Sequence, residues 1–278
     1  MLVQRVLTAL VLLPLLLALV WYAPPLGIYA AFTAIAAIVA WEWSGLIRRA
    51  SGLLPPALRG LYAAATAGLM ALVWFLPARA VWLPWLLGAA CLWWLLAPAV
   101  FHGFPGNLQR HAPPALGMGL LGWLLIVSTM LALAQIHGHA DGALRLLYVL
   151  FLVFAADTGA FLTGRNLGRH KLAPAISPGK TVEGAIGGML LCGAWALTAG
   201  MFVFKLQGMA QILSLLALSM LAAAASIVGD LAESMFKRHA GVKDSGTILP
   251  GHGGMLDRLD SILAAAPVMA LGLGLLKL

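Results

Sequence analysis

The feature of this sequence that most limits its possible folds is a succession of long apolar segments. A helix that crosses a hydrocarbon layer of about 30 Å needs roughly 20 apolar residues. Segments of this length are separated by short stretches such as APPLG, SGLLPP and FHGFPGN. They cover residues 6–22, 27–47, 60–77, 80–101, 115–136, 145–164, 185–204, 210–230 and 260–276. The pattern predicts an all-α polytopic membrane bundle of about nine transmembrane helices.

Composition supports this prediction, since 62% of the 278 residues are hydrophobic and only 9% are charged. A soluble domain has about 25% charged residues. Cys91 and Cys192 both lie in apolar runs and suggest neither a disulfide framework nor a metal motif. Without repeats or low-complexity tracts, we expect one integral membrane domain over residues 1–278. Residues 1–140 would form the N-terminal transmembrane helices, and 145–278 the catalytic helices and cytoplasmic loops.

The positions of the basic residues predict the orientation in the membrane. With nine spans, thirteen of the 17 Lys and Arg residues fall on the side of the N-terminus, all except Arg79, Arg145, Lys205 and Lys277. Cytoplasmic loops carry the excess of Lys and Arg, so we expect a cytoplasmic N-terminus and an external C-terminus. Part of the net charge of +8 therefore reflects the orientation of the protein in the membrane. No basic stripe is interleaved with aromatic residues, and we predict no nucleic-acid partner.

Acidic residues are few and concentrated. Seven of the nine lie between positions 157 and 260, at the predicted cytoplasmic ends of the last four spans or in their loops: Asp157, Glu183, Asp230, Glu233, Asp244, Asp257 and Asp260. A carboxylate within a span costs a few kcal/mol and is retained for function or is paired. Salt bridges at the interface are the alternative explanation. Glu42, late in the second span, is interpreted as structural, with Arg48 or Arg49 as its partner.

The spacing of these acids suggests a metal site. If the eighth span continues as a helix, Asp230, Glu233 and Lys237 share one face together with Ser234. Asp257 and Asp260 are three residues apart at the start of the last span. Aspartates from two helix ends suit Mg²⁺, which takes one or two carboxylates and completes its shell with water and phosphate oxygens. Carboxylates, basic residues and a metal together indicate phosphoryl or nucleotidyl transfer.

The segment AISPGKTVEGA, residues 175–185, contains Gly-Lys-Thr but is no Walker A loop. That motif needs a glycine at position 174, where this chain has Pro174, and a preceding strand. The segment can still hold phosphate. Ser177 or Thr181 could cap a helix that has Pro178 in its first turn and Lys180 at its start, and helix N-termini bind anions. An ordinary capped helix with a lysine reaching to the interface is the alternative.

The tail at residues 234–260, SMFKRHAGVKDSGTILPGHGGMLDRLD, resembles the signature of the phosphatidate cytidylyltransferase (CDP-diacylglycerol synthase) family. That signature runs S-x-x-K-R, four residues, K-D, then H-G-G-x-x-D-R-x-D. Residues 157–188 also look like this family's second motif block. The fixed positions of the signature are all present: Ser234, Lys237, Arg238, Lys243, Asp244, His252, Gly253, Gly254, Asp257, Arg258 and Asp260.

The resemblance implies that CTP and phosphatidate react to CDP-diacylglycerol and pyrophosphate with Mg²⁺, at the cytoplasmic face of a bacterial inner membrane. Asp230, Asp257 and Asp260 are the expected metal ligands, with Asp157 and Glu183 as further candidates. Lys180, Lys237, Arg238, Lys243 and Arg258 would hold phosphates. Ser177, Thr181 and Ser234 are expected as donors at the substrates, and Gly253 and Gly254 would let backbone approach them. Asp244, like Asp157 and Glu183, would be either a further ligand or a salt-bridge partner that orients basic residues. His252 would donate to pyrophosphate or shape the turn.

The family also suggests K⁺ as a second cation and a homodimer. Ala156, Ala160 and Gly164 permit close helix packing, either between chains or within one. A transporter is the main alternative of another class, although transporters place their sites near the midplane and often contain repeats. A lipid-alcohol kinase is closer but should lack the signature. A CDP-archaeol-type enzyme would differ only in its lipid.

Overall fold

The fold is a bundle of long helices with one small hairpin, seen in a computed structural model that describes residues 2–52, 55–249, 251 and 253–278. The helices are α1 (Leu2–Tyr22), α2 (Pro25–Ser51), α3 (Pro56–Phe75), α4 (Arg79–Phe101), α5 (Gly106–Arg110), α6 (Ala115–His137), α7 (Gly142–Leu167), α8 (Val182–Trp195), α9 (Met201–Phe204), α10 (Met209–His239) and α11 (Leu256–Leu276). A π-helical segment, Ala196–Gly200, joins α8 to α9.

The predicted helical bundle is confirmed. Every predicted span coincides with one helix, and the span at 185–204 corresponds to the continuous helix Val182–Phe204. Within the described ranges, eight helices are long and apolar enough to cross a membrane, and α1 adds a shorter apolar stretch, Leu13–Tyr22. The protein is thus an integral membrane protein by helix length and composition. The count of nine spans and the side of the N-terminus stay predictions.

A two-stranded antiparallel sheet interrupts the helices between α7 and α8. Strand β1 (Lys171–Ala173) pairs with β2 (Ser177–Thr181). The expectation of a helix start at these residues is therefore wrong for Pro178, which lies in a strand. It is right for Thr181, the N-cap of α8, whose Oγ1 accepts a hydrogen bond from the Gly184 N–H at 3.1 Å. Lys180 consequently lies in strand β2, one residue before this N-cap.

Helices α7 and α8 pack with their backbones close together. A Cβ added to Gly159 would lie 2.7 Å from the Gly187 carbonyl oxygen, and one added to Gly188 would lie 2.6 Å from that of Ala156. Only small residues allow such an approach. The stripe of Ala156, Ala160 and Gly164 is therefore used within the chain, against α8.

The last helix is anchored where a proline interrupts its hydrogen bonds. Pro267 has no N–H, so the carbonyl of Leu263, one turn earlier, lacks its helical donor. The Trp94 Nε1–H donates to this oxygen at 3.1 Å, and the Thr129 hydroxyl lies 3.0 Å from it. Helix α11 is thereby fixed between α4 and α6, in the most buried part of the bundle.

Candidate active site

A cavity of about 440 Å³ opens between α7, the hairpin, α8 and α10. Its polar lining residues are Asp157, Arg165, Lys180, Thr181 and Asp230. The remaining walls are small or apolar residues of α7, α8 and the hairpin, together with Ile227 of α10. Strand β2 and the N-cap of α8 therefore bring Lys180 and Thr181 to the same space as the two aspartates, as a phosphate site requires.

The central contact of the cavity is an ion pair between β2 and α10. Lys180 Nζ lies 2.5 Å from Asp230 Oδ2, and both side chains are about three-quarters buried. Asp157 of α7 and Asp260 of α11 are within electrostatic range of Asp230 and of Lys180, and Arg258 is within range of Asp157. Three carboxylates on three helices thus converge on one lysine.

The ligand atoms at this point fit a hard cation. Asp157, Asp230 and Asp260 offer carboxylate oxygens, which Mg²⁺ prefers. In the described part of the chain, no group of three or more His, Cys, Asp or Glu side chains is arranged to hold a metal by itself. The cluster therefore suits an ion that takes one or two carboxylates and completes its shell with water and phosphate oxygens.

Asp257 lies in different surroundings, although it is only three residues from Asp260. Its side chain is 6% exposed, and its Oδ1 lies 2.6 Å from Lys237 Nζ. Its Oδ2 accepts hydrogen bonds from the Ser245 N–H at 3.0 Å, the Ser245 hydroxyl at 2.9 Å and the Gly254 N–H at 2.8 Å. Both oxygens are thus in contact with protein donors, and Asp257 ties α11 to the loop that precedes it.

Lys237 belongs to the same cluster as Asp257. The spacing on α10 is confirmed, because this helix continues to His239 and carries Glu233 and Lys237 one turn apart. Lys237 Nζ lies 2.6 Å from Glu233 Oε2 as well as from Asp257, so it bridges α10 and α11. Glu233 is buried, with Asp257 and Asp260 in electrostatic range. This lysine is placed to neutralise acids and lies outside the lining of the cavity.

Glu42 is the functional candidate that sequence reasoning undervalued. Instead of pairing with Arg48 or Arg49, its carboxylate accepts hydrogen bonds from the Met255 N–H at 3.1 Å and the Leu256 N–H at 2.7 Å. The predicted structural role agrees with this burial, but the predicted partners were wrong. The available signal was a single carboxylate within an apolar stretch of α2, six and seven residues before the arginines of that helix, where donors from another element are needed.

Glu183 also has partners away from the cavity. It accepts a hydrogen bond from the Arg169 N–H at 3.0 Å, and its Oε1 lies 2.6 Å from His170 Nδ1. It therefore fastens the segment after α7 to the first turn of α8. Of the other predicted residues, Arg238, Lys243, Asp244 and Arg258 are exposed, Ser177 and Ser234 are half-buried, Gly253 has a φ of +85°, and Gly254 is buried. His252 lies outside the described residues.

Comparison with known proteins now decides the family. Residues 3–276 match the profile of the Cytidylyltransferase family. The chain belongs to this family. It is 36% identical to the phosphatidate cytidylyltransferase of Haemophilus influenzae, over 96% of each chain. It is 40% identical to that of Pseudomonas aeruginosa, over 97% of this chain and 96% of the relative. For a Staphylococcus aureus phosphatidate cytidylyltransferase, the identity is 45% over 47% of this chain and 49% of the relative.

Membership in the cytidylyltransferase family gives chemical meaning to the two clusters. A cytidylyl donor brings a chain of phosphates and must meet cations and hydrogen-bond donors. The cavity offers Lys180, Thr181 and converging carboxylates in a largely apolar wall. The cluster of Asp257 and Lys237 lies beside it and fixes the element that carries Asp260.

Proposed function

We propose that this protein is a phosphatidate cytidylyltransferase, which transfers CMP from CTP to phosphatidate and releases pyrophosphate. One observation carries the proposal: acids from α7, α10 and α11 converge on Lys180 in a cavity of a helical membrane protein of the cytidylyltransferase family. The two relatives matched over nearly their whole length carry that name. A substrate that is itself a lipid explains why a nucleotidyltransferase is built into the bilayer.

Mg²⁺ is the proposed cofactor, and Asp230 and Asp260 are its proposed ligands, with Asp157 beside them. Bound there, the ion would neutralise charge on the phosphates of CTP. Asp257 belongs to the predicted set, but it would have to exchange Lys237 for the metal. Glu183 is not among the proposed ligands, because its contacts with Arg169 and His170 fasten the segment before the hairpin to α8. K⁺ as a second cation rests on the family resemblance alone.

The transfer itself needs positioning more than a base. An oxygen of the phosphatidate phosphate, already anionic, attacks the α-phosphorus of CTP; the new P–O bond forms as the bond to the β-phosphate oxygen breaks, and pyrophosphate leaves with the electron pair. Lys180 and Arg258 hold phosphate oxygens at the cavity, and Arg238 and Lys243 approach from the exposed side. The Thr181 hydroxyl accepts from Gly184 and still has its own hydrogen to donate.

Orientation and assembly are part of the proposal. The cavity faces the cytoplasm of a bacterial inner membrane in this proposal, where CTP is available, because the basic residues are concentrated on that side. We also propose a homodimer, by analogy with the family. The small-residue stripe on α7 gives no support to it, since α8 covers that stripe.

Label transfer tests this proposal. Protein purified in detergent is given phosphatidate, Mg²⁺ and CTP labelled at the α-phosphate, with and without EDTA. We expect lipid-soluble label only with metal. Lys180→Ala and Lys205→Ala each break one Lys–Asp ion pair, but the pair of Lys205 with Asp141 lies in exposed loops, with Lys205 73% exposed. No transfer by the folded wild type would refute the proposed function, and equal activity of the two variants would refute the role of Lys180. Transfer of label from γ-labelled nucleotide to a lipid alcohol would indicate a kinase.

A further inference from the structure

We propose that Glu42 is a positioning residue for the transfer reaction: from α2 it holds the first turn of α11, and the loop before it, in the geometry that the active site requires. The inference rests on the proposed function and adds to it a residue outside the signature. The loop is the connection between α10 and α11, of which residues 240–249, 251 and 253–255 are described. It is called the connecting loop below.

Glu42 supplies hydrogen-bond acceptors to the start of α11. The first N–H groups of a helix have no partner within it and need an acceptor. Met255, at the N-cap of α11, makes no side-chain cap hydrogen bond. Glu42 supplies the missing acceptor from another helix, through its bonds to the N–H groups of Met255 and Leu256. A negative charge at this position also interacts favourably with the helix dipole.

The surroundings of the Glu42 side chain require a carboxylate. Glu42 is 1% exposed, and among the described residues no Lys or Arg forms an ion pair with it. Its polar neighbours are two backbone N–H donors and, at 3.3 Å, the Ser245 hydroxyl, whose single hydrogen is shared with the closer Asp257 Oδ2. A carboxylate has only acceptors and satisfies both N–H groups. An amide would turn a donor toward a donor, so the position is specific for Glu.

The connecting loop fits closely around the Glu42 carboxyl group. A Cβ at Gly246 would collide with Glu42 Oε1. A Cβ at Gly254 would lie 2.6 Å from Glu42 Oε2. Two separate glycines of the loop thus approach the same carboxyl group as closely as their missing side chains allow. The loop is shaped around Glu42, which explains why a residue more than 200 positions away can control its path.

A chain of polar contacts connects Glu42 to the candidate active site. The Ser245 hydroxyl lies 3.3 Å from Glu42 Oε2 and 2.9 Å from Asp257 Oδ2, so it joins the two carboxylates. Asp257 in turn contacts Lys237 of α10. Asp260 is one turn further along α11, within electrostatic range of Asp157, Asp230 and Lys180. A shift of the first turn of α11 would therefore move Asp260 relative to Asp230 and Lys180.

The test compares Glu42→Gln with Tyr29→Phe. Both are nearly isosteric changes of buried residues on α2, but the Tyr29 hydroxyl donates to the Met70 carbonyl at 2.6 Å and does not touch the connecting loop. Ser245→Ala is a milder second variant, which leaves the carboxylate and its backbone donors in place. For each, kcat and both KM values are measured by label transfer. Amide hydrogen exchange is followed in peptides from the connecting loop and from the first turn of α11.

We expect Glu42→Gln to lower kcat by about 10²-fold, the loss typical of small misplacements. Both KM values should change less than about threefold, as for an interaction that matters only in the transition state. Exchange at the start of α11 should rise about tenfold, and exchange in other helices should not. Ser245→Ala should lose about tenfold in kcat, since a single hydrogen bond is removed. Tyr29→Phe should act as wild type does.

Several results would overturn the inference. Wild-type kcat in Glu42→Gln would show that the reaction does not need this carboxylate. Faster exchange in every helix, with activity lost in proportion to folded protein, would make Glu42 only a stabilising residue. Unchanged exchange at α11 would show that it does not hold the turn, and that measurement needs no substrate. If wild-type protein transfers no CMP, the proposed function fails, while the exchange experiment still decides whether Glu42 holds the loop.

Discussion

The cavity cluster and the anchored cluster around Asp257 lie side by side, yet their carboxylates have opposite surroundings. Asp157 and Asp230 line the cavity, Asp260 lies within electrostatic range of both, and the three converge on Lys180 with few protein donors. One helical turn away, Asp257 contacts Lys237, Ser245 and Gly254. Carboxylates without enough donors can receive a ligand, whereas satisfied carboxylates fix structure. Aspartates of the same region therefore have two different tasks: Asp157, Asp230 and Asp260 are available to bind a ligand, which makes them the binding group, whereas Asp257 holds the structure together.

The largest effect is expected in the cavity, from Asp230→Asn. The change removes a charge that faces Lys180 and the proposed metal position, so kcat should fall about 10²- to 10³-fold, as for other electrostatic groups at reacting phosphates or carbonyls. Label transfer measures this, and hydrogen exchange should show an unchanged fold. Near-normal turnover would contradict the assignment of the cavity as the binding group.

Asp257→Asn should affect structure and activity together. The amide would face the backbone donors of Ser245 or Gly254, so the free energy of unfolding should fall by about 1–3 kcal/mol and exchange in the connecting loop should rise. We expect kcat to fall about 30-fold through displacement of Asp260. If activity is lost while the connecting loop exchanges as in wild type, Asp257 belongs with the metal ligands that its sequence spacing predicted.

Lys180→Ala should weaken substrate binding. A hydrogen bond to a charged group is worth about 1.5–3 kcal/mol, so the KM for CTP or phosphatidate should rise about tenfold or more. Lys205→Ala is the control for loss of a Lys–Asp pair elsewhere. Unchanged KM values for both substrates in Lys180→Ala would remove this lysine from the phosphate site.

The smallest effect is expected for Glu183→Gln. His170, its partner, is 78% exposed, and exposed ion pairs contribute little. Turnover should therefore change less than about threefold, by the same label-transfer assay. A loss comparable with that of Asp230→Asn would instead place Glu183 among the metal ligands.

The bundle was predictable because apolar length and chain breakers act locally. The runs at 145–164 and 210–230 mark α7 and α10, although both helices extend beyond them into polar residues. The hairpin at 171–181 was missed since its strands of three and five residues are too short for an alternating pattern and one contains Pro178. Polarity near a helix start suggested capping, which was right for Thr181 alone.

The candidate site was predictable in its membership and less so in its arrangement. Residue type and spacing selected Asp230, Asp257 and Asp260, but a spacing of three residues does not reveal that α11 directs the two aspartates to different neighbours. The partners of Glu42 could not be predicted from the sequence, because 213 and 214 positions separate it from the two residues whose N–H groups donate hydrogen bonds to it. Such pairing depends on the tertiary packing of α2 against the start of α11.

The bond between α2 and α11 also has a consequence for the order of assembly. Glu42 is synthesised with α2, whereas its donors arrive more than 200 residues later, with α11. Until α11 is inserted, a carboxylate on a membrane helix lacks its partners, which is energetically unfavourable in a bilayer. Helix α11 therefore completes α2, and this part of the bundle closes only after the segments between them have been made.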